Sequence, residues 1–236
     1  MAGLASLVLA DARFPGGGHV HSGGLEEAVA RDLVSDVPSL GAFLRGRLRT
    51  AGRVAAAFAA AAVTLAQAPG AGPGRAPAGV AWDVLDAALD ARTPSAAQRD
   101  ASRAQGKASL RAARAAWPSP LLDTLVAVHP RPHHPLLLGA VIGHAGESPA
   151  AAARCAGYLA VSGPASAAVR LLGLDPFAVN SALVALDAEL DAIVHEAAAL
   201  AAGPVDELPA PGAPVLDLMA ESHVRHHRER VRLFAS

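Results

Sequence analysis

The sequence predicts an all-α protein, a single-domain helical bundle of roughly eight to ten helices. Three observations predict it. Four segments open with the same device, a side-chain oxygen followed by proline: Thr93-Pro94, Ser119-Pro120, Ser148-Pro149 and Asp175-Pro176. The oxygen can accept from orphan N–H groups, and proline suits the first helical position. Apolar residues recur at helical spacing, as in Leu40, Phe43, Leu44 and Leu48. Finally, nowhere do β-branched residues alternate with polar ones as a strand requires.

The elements follow from these stops. Residues 3–11 form a short first helix and Gly24 to Ala30 a second. Asp36 to Ala66 reads as one long helix, started by Asp36 and Pro38 and flanked by Arg45, Arg47, Arg49 and Arg53. Residues 68–79 are proline, glycine and alanine, and predict a flexible connection. Val80 to Ala91 and Pro94 to Trp117 are helical, and a proline-rich passage follows to Pro135. Pro135 to Ala145 and Pro149 to Val161 come next, with a break predicted at Gly163-Pro164. Pro176 to Ala202 reads as one helix. Its heptad rhythm of Val179, Leu183, Leu186, Leu190, Ile193 and Ala197 fits a core stripe or, alternatively, a dimer seam. The division expected is a helical domain over 1–203, then a proline-rich linker and a flexible, basic C-terminal tail over 204–236.

At 236 residues the chain has ample length for a core. A net charge of -1 gives no global pull toward nucleic acid. With one cysteine, Cys155, neither an intrachain disulfide nor a cysteine-based zinc site can be built. A reducing, cytoplasmic home is expected. The most apolar run, Val54 to Ala66, is shorter than the ~20 residues of a spanning helix, so no membrane partner is expected. The alanine, glycine and proline load reads as compositional bias rather than function.

Asp11 to Glu26 stands apart. Pro15 precedes Gly16, Gly17 and Gly18, and Gly23 and Gly24 open the next helix. Five glycines within nine positions imply a turn pressed against another helix or another chain. Phe14 and Leu25 bracket it as apolar anchors. His19 and His21 lie on its far side and are the weak candidates for metal contact. His133 with His134, and His223 with His226 and His227, form two further groups. His223 and His227 are four apart, a metal-compatible spacing, but no carboxylate completes the pattern and arginines surround it.

Enzymatic signatures are missing. Lys107, the one lysine, lacks the glycine and hydroxyl of a phosphate loop. Val20 breaks a nucleophile elbow at Ser22. Cys155 sits on an apolar helical face. No catalytic residue is assigned and a non-enzyme is expected. The competing reading is a histidine-based metal-binding protein or metal-dependent enzyme.

The Pro-Gly-Gly turn followed by Ser22-Gly23-Gly24-Leu25-Glu26 resembles the N-terminal signature of the urease accessory protein F (UreF) family. Four later segments resemble it in the same order. They are Ser102-Arg103-Ala104-Gln105-Gly106, His134-Pro135-Leu136-Leu137-Leu138-Gly139, Ala167-Ala168-Val169-Arg170-Leu171, and the ending Arg232-Leu233-Phe234-Ala235-Ser236. The resemblance implies a cytoplasmic, all-α homodimer that is a scaffold and not an enzyme. Its implied partners are the GTPase UreG, UreD (also called UreH) and apo-urease, and the assembly inserts nickel while this chain holds no cofactor stably. It implies partner contacts at Arg13, Phe14, Pro15, Gly16, Gly17, Ser22, Gly23, Leu25 and Glu26 in the turn. Arg103 and Arg170 are implied on helices, and Arg232, Leu233, Phe234 and Ser236 on a hinged tail.

Overall fold

A computed structural model describes residues 3–17, 21–68 and 77–233, and every regular element among them is helical. In order they are α1 (Leu4–Ala10), α2 (Leu25–Ala30), α3 (Val37–Arg47), a π turn (Leu48–Gly52), α4 (Arg53–Gln67), α5 (Pro77–Ala91), α6 (Ala96–Ala116), α7 (Pro120–Val128), α8 (His134–His144), α9 (Pro149–Leu172), α10 (Pro176–Val184), α11 (Asp187–Leu200), a single 3-10 turn (Val205–Glu207) and α12 (Pro214–Leu233). Because α3, the π turn and α4 form one 31-residue rod, these make eleven helices, slightly more than expected.

Side-chain capping explains five of the starts. Asp36 and Ser39 exchange a capping box, while Ser119, Ser148 and Asp175 accept backbone N–H groups at the heads of α7, α9 and α10. The fourth device shifts. Ser95, not Thr93, caps α6, and the Thr93 hydroxyl donates back to Leu89 O of α5.

Two breaks differ from expectation. α9 runs straight through Gly163-Pro164. A proline there removes the N–H that would bond the carbonyl four residues back. That carbonyl, Ala160 O, instead accepts from Arg47 Nε at 2.8 Å, so the helix continues without an orphan group. Conversely, the expected helix over 176–202 divides at Ala185–Leu186, where Leu186 turns into the core. Its stripe packs inward: Val179, Leu186, Ile193 and Ala197 are buried, which favours the core reading over a dimer seam.

The centre of the fold is α4, which packs most extensively against α8 and α9, with α11 alongside. Ala56 through Ala60, Ala62 and Val63 are all fully buried. The rod Val37–Gln67 is long and apolar enough to cross a membrane, so the length argument made on Val54–Ala66 fails. Its apolar face is used as core, and its arginines clamp α11: Glu189 bridges Arg45 and Arg49 at 2.6 and 2.7 Å, and Glu196 pairs with Arg53.

The stretch expected to be a linker is packed. Leu208 is buried, and Arg92 NH2 gathers the carbonyls of Val205, Asp206 and Leu208, each at 3.1 Å. α12 then lies across α6 and α2 and buries Leu216 and Met219. The 69–76 part of the expected flexible connection lies outside the described residues, and Pro77 onward is already helix.

Candidate functional site: the glycine turn and the cavity behind it

The glycine turn is pressed against the chain's own helices. Phe14 stacks obliquely on Trp117, ring centroids 6.5 Å apart, and Gly16 is buried against Ser109 of α6. Gly23 has φ +62, and a Cβ there would come within 2.9 Å of both Arg47 Cζ and Pro164 Cγ. Only glycine satisfies both demands. Leu25 is fully buried and anchors α2 to the core.

The residues implied as partner contacts therefore separate. Arg13, Pro15 and Glu26 are exposed, with Arg13 folded onto Asp11 at 2.6 Å. That pairing holds the Asp11 carboxyl down to about 2. Phe14, Gly17, Ser22 and Gly23 are half-buried, while Gly16 and Leu25 are inside and offer no surface to a partner. Arg170 is exposed on α9. Arg232 and Leu233 end α12, their side chains outside the described residues, as are His19, Phe234 and Ser236 altogether.

Arg103, implied as a partner contact, is engaged within the chain and remains partly exposed. Its guanidinium binds Asp86 at 2.6 Å, Asp90 at 2.8 Å and Arg131 O at 3.0 Å. Gly106, one turn later, lets the chain's own Pro132 carbonyl approach α6, where a Cβ would stand 1.9 Å from it.

Around Arg103 lies a network that sequence reasoning missed. His133 is 1% exposed. Its Nε2 meets Asp90 at 2.8 Å and its Nδ1 meets the Ser102 hydroxyl at 3.0 Å. His134 N–H donates to the same hydroxyl at 3.3 Å. Ser102, His133 and Asp90 thus have the connectivity of a nucleophile, base and carboxylate. The adjacent backbone donor, His134 N–H, is already spent on the Ser102 hydroxyl and is not free to act as an oxyanion donor. Asp86, Asp90 and His133 could also gather on a metal ion, their ligand atoms all lying within 4.8 Å of one another. Arg103 NH2, bonded to both carboxylates, supplies the positive charge there. The spacing Asp86/Asp90, one helical turn apart and facing Arg103, was the available signal.

Behind the turn is a cavity of about 810 Å³ between residues 21–27, α6, the head of α8 and α12. His21, His134 and His223 all line it, so the structure brings together histidines from three separate sequence groups. Burial pushes the His134 imidazole down to about 4, with the nearby His21 adding to the effect, and burial also lowers His133. α12 forms one wall of the cavity. Its Glu221 accepts from Ser95 Oγ at 2.7 Å and Ala97 N at 2.9 Å, a second cap on α6, and Asp217 accepts from Gln98 at 3.0 Å.

A pH dependence follows. The unfolded chain binds protons at histidine more readily than the folded chain does. The stability contributed by keeping His134 neutral is fully present above pH 6.5 and is lost as pH falls toward 4. His134 alone is expected to account for about 2–3 kcal/mol of that loss. Urea unfolding above pH 6.5 and near pH 4 measures it, and His134→Gln is expected to flatten the profile.

The UreF family model matches residues 34–187. A urease accessory protein UreF from Mycobacterium marinum is 42% identical over 231 residues, 98% of this chain and 97% of that protein. One from Mycolicibacterium vanbaalenii is 42% identical over 237 residues, covering both chains fully. One from Mycobacterium tuberculosis is 40% identical over 231 residues, 98% of this chain and 97% of its own. With the signature turn, the Arg103 helix and the head of α8 converging on one cavity, and with likeness running from end to end, this chain belongs to the UreF family of urease accessory proteins.

Proposed function

We propose that the chain is a non-enzymatic scaffold for urease maturation. It works as a cytoplasmic homodimer that holds UreD/UreH and the GTPase UreG while nickel, the cargo of the assembly, is inserted into apo-urease. The carrying observation is end-to-end identity of about 40% to urease accessory proteins. The geometry agrees with it. The clusters able to do chemistry are engaged in internal hydrogen bonds, whereas Arg13, Pro15 and Glu26 stay exposed. GTPase gating belongs to the groove of the dimer in this reading and UreD binding to the C-terminal end, where Leu233 and Phe234 are the apolar anchors.

The test is a short truncation. Removing residues 233–236 leaves the packed part of α12, with Leu216, Met219 and Glu221, in place. Co-purification with UreD is expected to be lost while the melting temperature is unchanged. Retained co-purification would overturn the assignment of the tail.

A further inference from the structure

We propose that Arg47 is the positioning residue of the glycine turn: one guanidinium ties the turn at Gly23 to the proline-containing helix α9 at Ala160, and so holds the docking surface in a single shape. The inference rests on the scaffold reading only for what docks there.

Arg47 is an unusual cation. Burial lowers its pKa to about 10, leaving it charged at neutral pH, and no carboxylate offsets that burial among the described residues. A charge held this way needs strong acceptors. It has two carbonyls from different parts of the chain: NH1 donates to Gly23 O at 2.7 Å and Nε to Ala160 O at 2.8 Å. Neither carbonyl is a chance neighbour. Ala160 O lost its helical donor because residue 164 is proline. Gly23 holds a positive φ that glycine tolerates, and in that turn its carbonyl faces Arg47. Arg47 and Pro164 both crowd the turn at Gly23, where an added Cβ would stand 2.9 Å from each of them. Pro164 therefore opens an acceptor on α9, Arg47 fills it, and the remaining arm of the same side chain fixes the turn. Because the guanidinium is planar and its donors are rigidly forked, the two anchor points are set relative to each other. The wall of the cavity formed by His21 to Gly24 inherits that position.

The test separates positioning from stability. Arg47→Met removes both bonds. Pro164→Ala restores the N–H of residue 164 and lets α9 satisfy Ala160 O by itself. Arg47→Met is expected to lower the melting temperature, and adding Pro164→Ala to recover most of the loss. Amide exchange at Leu25 and Ala28, whose N–H groups donate to Ser22 O and Gly24 O, is expected to run about tenfold faster in both Arg47→Met proteins and unchanged in Pro164→Ala alone. Affinity of the full chain for purified UreG and UreD is expected to follow the exchange rates, not the melting temperature. Parent-like exchange in the double variant would overturn the proposal and reduce Arg47 to a plug for one carbonyl. If the parent chain binds neither partner, the scaffold reading fails while the exchange result still decides the role of Arg47.

Discussion

Replacing Gly139 by alanine is expected to destabilise the protein by about 3 kcal/mol or more, a large effect for one methyl group. A Cβ at Gly139 would lie 2.2 Å from Ala59 O and 2.5 Å from Ala62 Cβ. The first neighbour is backbone at the centre of α4, and it cannot swing aside as a flexible side chain would. α8 and α4 would have to separate along the most extensive helix contact in the fold, loosening Ala59, Ala62 and Val63 together. For a chain of this size the melting temperature is expected to fall by about 6–12 °C. Gly41→Ala is the control. It sits within α3 with nothing inside 4 Å of its Cβ position, so alanine is expected to be neutral or mildly stabilising there. A melt in which Gly139→Ala matches Gly41→Ala would refute the close-packing argument.

That contact also shows where the sequence was readable and where it was not. The all-α class and most boundaries were legible because caps and proline act locally: Asp36, Ser119, Ser148 and Asp175 each bond N–H groups within three residues. The alanine excess was read as compositional bias. Physically it is what allows α4 to pass through the middle of the bundle, since short side chains at Ala56, Ala59 and Ala62 let neighbouring backbones come near. The error at Gly163-Pro164 has the same root. A proline inside a helix is a local stop signal, but the group that cancels it, Arg47, lies 113 residues away from Ala160. Tertiary partners of that kind leave no local trace.

The site was legible in its materials and not in its arrangement. The turn, the histidine pair at 133–134 and the Arg103 helix were each singled out along the chain. That His21, His134 and His223 share one cavity depends on α12 folding back over α6, and a stretch with four prolines ahead of it gave no sign of that return. Glu221 acting as a cap for a helix head more than a hundred residues earlier is likewise a purely tertiary bond.

Arg103→Met is expected to cost about 3 kcal/mol of stability, which distinguishes an internal ion-pair centre from a surface contact. In the folded chain Arg103 neutralises Asp86, whose side chain is only 6% exposed, and shares Asp90 with His133. Methionine keeps the apolar length but leaves the Asp86 carboxylate buried without a partner, and breaking a buried pair from one side costs more than removing both members. The Arg131 carbonyl loses a donor as well, loosening the passage that leads to His133. Adding Asp86→Asn removes the stranded charge, and the double variant is expected to regain at least half of the loss in a urea melt. Had Arg103 been a partner contact alone, the single substitution would leave the melt untouched and abolish association. A melt shift rescued by Asp86→Asn is the signature of the internal role. An unshifted melt with lost association would return Arg103 to the surface that the family resemblance assigns it.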